Sequence, residues 1–103
     1  MTANEYQEFT RTTAIYPKNK AIDYLVMGLC SEAGEVAGKR KKSIRDGGVT
    51  VESIIDEVGD VLWYVARLAD EMGYSLENVM ERNKDKLLRR LMQNTIQGSG
   101  DSR

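Results

Sequence analysis

Apolar side chains recur along this chain with the period of an α-helix, in four successive stretches. Residues 3 to about 15 make the first, with Tyr6 and Phe9 as its expected anchors. Pro17 has no amide hydrogen to give a helix and ends it. The second runs from about Asn19 to Ile44, with a stripe of Ile22, Leu25, Val26, Leu29, Ala33, Val36, Ala37 and Ile44. Asp46, Gly47 and Gly48 then stop the helix and turn the chain. Thr50 is an N-cap for a third helix reaching about Met72. Its stripe is Ile54, Val58, Val61, Leu62, Val65, Leu68, Ala69 and Met72. Gly73 and Tyr74 close it, and Ser75 caps a fourth helix that extends to about Met92. That last helix carries Leu76, Val79, Met80, Leu87 and Leu91. No stretch alternates with the period of a strand. The expected fold is all-α: a four-helix bundle-like protomer built on a central antiparallel hairpin of helices two and three. Residues 1–94 form a single domain, and residues 95–103, small and polar, form a flexible tail.

Two faces lie outside those stripes. Trp63 projects almost opposite the core side of helix three, beside Gly59 and Ala66, and Met27, Ser31, Gly34 and Gly38 share an outer face of helix two. A large aromatic among small residues predicts that another helix packs there, and a second copy of the chain is the expected cover.

Composition narrows the chemistry. A chain of 103 residues suits one core, and 41% hydrophobic content is too apolar for disorder. The net charge of -1 offers no field to recruit nucleic acid or an acidic membrane. No apolar run is long enough to span a bilayer, and residues 1–5 lack the basic and apolar regions of a signal peptide. The expected location is the cytoplasm, which also suits a single cysteine, Cys30, read as a buried inert thiol. The chain has 0 histidines. That excludes Ser-His-Asp and Cys-His catalysis, disfavours zinc, and removes the Glu-x-x-His ligands of di-iron bundles. Catalysis, if present, runs on carboxylates, Lys, Arg, Tyr and metal.

Carboxylates are where the pattern becomes specific. Glu32 and Glu35 stand three residues apart in helix two, as do Glu57 and Asp60 in helix three. That spacing puts each pair on one helical face, where like charges repel. At about 100° per residue, both pairs fall on the same-handed flank of their apolar stripes. Antiparallel packing through those stripes turns like-handed flanks toward each other. The pairs also lie at similar distances from the Gly47–Gly48 turn, so four carboxylates are expected to converge. Hard divalent cations relieve such crowding, and Mg²⁺ keeps open positions for phosphate oxygens. Solvated helix faces are the plain alternative for each pair taken singly.

Cations surround these pairs. Lys39 shares the acidic flank, as an i,i+4 partner of Glu35 or as a phosphate contact, and Lys42 belongs to the basic run after it. Asn83, Lys86 and Arg90 lie on or beside the apolar face of helix four, where polar groups need partners. A substrate phosphate, a carboxylate of the site or an intersubunit salt bridge would serve. Tyr64, one turn beyond Asp60, could stack on a base, close the site or be a rim aromatic.

In this order, the motifs resemble the MazG-like family of all-α nucleoside triphosphate pyrophosphohydrolases. The family pattern of Glu-Glu-x-x-Glu followed by Glu-x-x-Asp reads here as Ser31, Glu32 and Glu35, then Glu57 and Asp60, with Leu29, Val36 and residues 61–64 as matching neighbours. A later Asn-x-x-Lys-x-x-x-Arg is Asn83, Lys86 and Arg90, and the likeness covers about residues 20 to 90. The resemblance implies homodimers or homotetramers that bind Mg²⁺, with Mn²⁺ as a substitute. It implies hydrolysis of an NTP or dNTP to the monophosphate and pyrophosphate, by water attack at the α-phosphorus. Carried over, Glu32, Glu35, Glu57 and Asp60 are metal ligands and catalytic residues. Lys39, Lys42, Tyr64, Asn83, Lys86 and Arg90 are the substrate-binding candidates. Ser31 departs from the family's first Glu. A module that binds a metal-nucleotide with weak or no turnover, and a plain helical interaction protein, are therefore the alternatives to an enzyme.

Overall fold

The computed structural model describes residues 1–102, and their regular structure is helical. Helix α1 spans Ala3–Thr10, α2 Ala21–Asp46, α3 Val51–Glu71 and α4 Leu76–Met92. Each start has a local cause. The Thr2 hydroxyl accepts the Glu5 amide while the Glu5 carboxylate accepts the Thr2 amide, a reciprocal capping box. Thr50 and Ser75 cap α3 and α4 by accepting the amides of Ser53 and Asn78. The ends follow the glycines. Gly47 and Gly48 have φ of 71° and 78°, and Gly73 has φ of 83°, a region that a side chain disfavours.

The first helix is shorter than the periodicity predicts. It gives way to a tight 3-10 turn at Arg11–Thr13, because the hydroxyls of Thr10, Thr12 and Thr13 donate to carbonyls three residues back. Short polar side chains that bond their own backbone compete with helix continuation. The expected anchors also change. Phe9 is exposed, and the helix is held instead by Gln7, whose amide donates to the carbonyls of Ala66 (3.2 Å) and Tyr74 (3.0 Å) while its carbonyl accepts the Leu76 amide (3.0 Å). One polar side chain thus fastens α1 to the α3–α4 corner.

Between α1 and α2 the chain crosses α3. Tyr16 is buried there, stacked on Tyr24 and edge-on to Trp63. Arg67, also buried, is compensated on every side: it donates to Tyr16 and Thr10 and pairs with Asp70 (2.6 Å) and Glu71. Arg11 reaches the same Asp70 from outside (2.7 Å). Two cations hold the Asp70 carboxyl down at about 2, the Arg11 hydrogen bond being the largest cause.

α2 and α3 form the expected antiparallel hairpin, and α4 leans on α1 and α3 without comparable contact to α2. The protomer is accordingly open. Its radius of gyration is 16.3 Å, against about 13 Å for a compact domain of this length. Much of what the periodicity assigns to the core is surface: Leu25 is fully buried, but Ile22, Val26, Ala33, Ala37, Ile44, Val58, Leu62 and Met72 are exposed. The stripes are real, but within one chain they have only one neighbouring helix to lie against. Cys30, expected inside, is exposed for the same reason. Trp63 differs in the opposite sense. Its ring is partly covered by its own chain, the indole N–H donating to Thr13 Oγ1 at 2.7 Å and Tyr16 meeting it edge-on. Among the described residues, no helix is long and apolar enough to cross a membrane.

Candidate metal centre

The hairpin brings acidic side chains of α2 and α3 together at mid-length. Glu32, Glu57 and Asp60 each present one carboxylate oxygen within 4.8 Å of the others. Two of the three, Glu32 and Glu57, are half-buried; Asp60 is exposed. Glu35 stands outside this group. It is near enough for its charge to act on Glu32, but three carboxylates converge, where the helical projection predicts four. A step of 100° per residue fixes a flank and leaves the side-chain rotamer open.

The electrostatics follow from the crowding. The Glu32 carboxyl is pushed up, first by burial and then by the charges of Asp60, Glu57 and Glu35, with a hydrogen bond to Glu57 adding to it. Tyr6, on α1, is also pushed up by burial and by Asp60, so α1 supplies a phenol to the rim. Spacing had marked Tyr6 as a packing residue, and no signal in its own helix tied it to an acid on α3.

Lys39 binds the cluster directly. Its Nζ lies 3.0 Å from Glu57 Oε1 and donates to the Ser53 carbonyl at 3.1 Å. The ammonium therefore bridges the hairpin, instead of pairing with Glu35 along its own helix. Tyr64 is wedged against α2. A Cβ built on Gly28 would lie 2.1 Å from its ring, and Trp63 meets the same ring edge-on at 4.9 Å. Gly28 is four residues before Glu32 and Tyr64 four after Asp60, so this contact closes one end of the cluster. Burial raises the Tyr64 phenol first, with Tyr24, Glu32 and Asp60 contributing, which adds Tyr24 to the rim. The Tyr64 ring thus packs on α2 beside the cluster.

The other candidates are elsewhere. Lys42 is exposed on α2. Asn83 and Lys86 line a groove of about 780 Å³ beside α4, bounded by Met72 and Tyr74 at the end of α3. Lys86 and Arg90 pair with Asp101 in the segment after α4, and among the described residues neither pairs with the carboxylates of α2 and α3.

The donor set suits a hard divalent ion. It is all oxygen, with no histidine in the chain and no thiolate in the cluster. Oxygens about 2.1 Å from a Mg²⁺ ion lie about 3–4 Å from one another, so small side-chain rotations bring these three into range.

The chain is an all-helical protein built on an open hairpin with clustered carboxylates on facing flanks. Its family is shown by comparison with known sequences: residues 20–93 match the model of the MazG nucleotide pyrophosphohydrolase domain, and the chain belongs to that family. The "Gene 37 protein" of Mycobacterium phage L5 is 45% identical over 109 aligned positions, 95% of this chain and 96% of the phage protein. The "Uncharacterized protein YvdC" of Bacillus subtilis strain 168 is 46% identical over 39 residues, 38% of this chain and 37% of that protein. No solved structure matches. The matched span contains all four helix-borne acids and the Asn83, Lys86, Arg90 set, and leaves α1 outside.

Proposed function

We propose that the protein is a Mg²⁺-dependent nucleotide pyrophosphohydrolase, converting an NTP or dNTP to the monophosphate and pyrophosphate by water attack at the α-phosphorus. The single observation that carries this reading is the convergence of Glu32, Glu57 and Asp60 from two helices in a chain of the MazG family. In it, Glu32, Glu57 and Asp60 hold the cation, and Mn²⁺ can substitute. When bound, the ion supplies positive charge against the triphosphate, the main requirement of phosphoryl chemistry. Glu35, one turn along and outside the cluster, is then the carboxylate left to take a proton from the attacking water. With a cation held by Glu57, the Lys39 ammonium, now paired with that carboxylate, would be free to meet a phosphate oxygen. The Tyr64 ring, seated on Gly28, keeps one end of the site closed to water.

A second copy of the chain belongs to this reading, as a homodimer or homotetramer. Val26, Met27, Ile55, Val58 and Leu62 leave apolar surface open along the hairpin, and Leu87, Leu88 and Leu91 do so along α4. Such a copy would also supply cations, because the Lys86 and Arg90 of one chain are apart from its own acidic cluster.

The test is pyrophosphate release from a panel of canonical and modified nucleotides, with Mg²⁺ or with chelator. Release that needs Mg²⁺ and falls at least 100-fold in Glu57→Gln and Asp60→Asn, with helicity unchanged, is the expected result. Ser31, exposed where the family pattern has a Glu, favours one other reading: a metal-nucleotide-binding module without turnover. Nucleotide-dependent thermal stabilisation with no pyrophosphate from any nucleotide of the panel would establish that reading instead.

A further inference from the structure

We propose that the segment after α4, residues 93–102, is a latch beside the apolar face of that helix, and that it sets how readily a second copy of the chain docks there. The inference deepens the homo-oligomer reading given above, and rests on it. α4 ends in a Schellman turn. Asn94 takes φ of 56°, its amide donates to the Leu91 carbonyl at 3.2 Å, and the Thr95 amide donates to the Arg90 carbonyl at 2.7 Å. Asparagine tolerates that left-handed backbone, which reverses the chain at the end of the helix. The next residues therefore return along α4. Ile96 joins Met80, Lys84, Leu87, Leu88 and Leu91 in lining a groove of about 610 Å³. Asp101 reaches the other flank of the same helix. Lys86 and Arg90 both donate to its Oδ1, each at 3.1 Å, and Arg90 also donates to the Gly100 carbonyl at 3.3 Å. The segment thus holds α4 on two sides, by an apolar side chain on one and an acid on the other.

The groove that Ile96 borders is open. Met80, Leu87, Leu88 and Leu91 are all exposed, although they share one face over about three turns of α4. An apolar strip of that extent marks an interaction site. A second copy is the occupant that the chain's own surface fits. The α2–α3 hairpin presents a matching strip of open apolar side chains, Val26, Val58 and Leu62 among them. Charge agrees with this pairing. Glu81 and Asp85 flank the α4 strip, while Arg40 and Lys41 stand exposed toward the open side of α2. Two copies can therefore exchange contacts reciprocally, α4 of each against the hairpin of the other, in a closed two-fold arrangement.

The latch is weak enough to open. Asp101 is 83% exposed, so its ion pairs are screened by water, and pairs of that kind are weak. Ile96 is itself 43% exposed, so it gains only part of the stabilisation that full burial gives. Closure also leaves Arg90 Nε buried with no hydrogen-bond partner among the described residues, which offsets part of what the clasp contributes. A docking copy competes with Ile96 for the groove. Apparent affinity is then lowered to the extent that the latch is closed, and in a two-fold contact that factor enters once per copy. The latch thereby keeps an exposed apolar strip from associating until the chain is concentrated enough for a copy to displace it.

Sedimentation velocity and backbone amide relaxation on the full chain, without nucleotide or divalent ion, test this apart from catalysis. In wild type, residues 95–101 should relax as ordered backbone, and in Asp101→Asn they should relax as a free terminus. The same substitution should tighten self-association about three- to tenfold per copy, hence about tenfold to a hundredfold in the dimer constant, the range expected from losing two screened pairs on each chain. Asp101→Glu, which keeps the carboxylate, should restore the wild-type constant. A segment already mobile in wild type, or weaker association in Asp101→Asn, would overturn the proposal. Equal and tight association in all three proteins would overturn the latch and leave the second copy standing, whereas monomers throughout would overturn both. None of those results bears on whether the α2–α3 cluster supports nucleotide hydrolysis, which the Mg²⁺-dependent release assay reads separately.

Discussion

Replacing Lys39 by Met removes the one ammonium that the hairpin places on its acidic cluster while keeping the aliphatic stem. Without a metal, Lys39 offsets part of the repulsion among Glu32, Glu57 and Asp60. Two like charges 4.8 Å apart cost about 1 kcal/mol in water and about 3 kcal/mol at a protein-surface dielectric. Lys39, 3.0 Å from Glu57 and half-buried, returns a fraction of that, about 1 kcal/mol after screening. The apo protein should therefore lose about 1 kcal/mol, or about 4–8 °C in Tm for a domain of this size. Divalent binding should move the other way. Lys39 competes for Glu57 and repels an incoming cation, so its removal should tighten Mn²⁺ binding about fivefold, the same 1 kcal/mol read as affinity. The assay is a pair of melting curves with and without Mn²⁺, together with a Mn²⁺ titration of both proteins. A Lys39→Met protein that is less stable without metal and gains more from Mn²⁺ meets the expectation. Weaker or unchanged Mn²⁺ binding would refute the reasoning, because it would mean that Glu57 is not where the cation goes.

Other predictions concern the supports of the site. Asp70 in the folded protein titrates at about 2, below its ordinary 3.8, so its stabilisation is fully present above pH 4 and is lost as pH falls toward 2. Asp70→Asn should cost about 1–2 kcal/mol at neutral pH and nearly nothing at pH 2, by urea melts at both. Gly28→Ala should force the Tyr64 ring off α2 and cost about 1–3 kcal/mol, and a Gly28→Ala, Tyr64→Ala pair should recover part of that loss. Gln7→Leu should cost about 1–3 kcal/mol by orphaning the Leu76 amide and two carbonyls, seen as a lower midpoint in urea.

How far the sequence was legible depends on which physics each residue obeys. Thr50, Ser75, Gly47 and Gly73 act through local backbone geometry, and the elements they bound lie where their chemistry places them. Glu32, Glu57 and Asp60 share a flank because helical periodicity forces it. Glu35 obeys the same period and still stays outside, since which way a long side chain leans is settled by its neighbours. Gln7, Arg67 and Tyr16 were invisible for another reason. A polar residue in an amphipathic pattern reads as surface, and only tertiary contact with α3 and α4 makes these three interior. Trp63 was read from its own helix, where nothing reveals that residues 11–16 pass over it. Lys39 was read as a partner of Glu35 along α2 or as a phosphate contact, and the acid it meets belongs to α3.

The central claim is that three carboxylates from two helices hold one divalent ion, with Glu35 outside that set. Mn²⁺ binding followed by electron paramagnetic resonance on wild type, Glu35→Gln and Asp60→Asn measures it most directly. The account predicts one site in wild type, near-equal affinity in Glu35→Gln, and a loss of at least tenfold in Asp60→Asn. Equal binding by all three proteins, or a greater loss in Glu35→Gln than in Asp60→Asn, would contradict it.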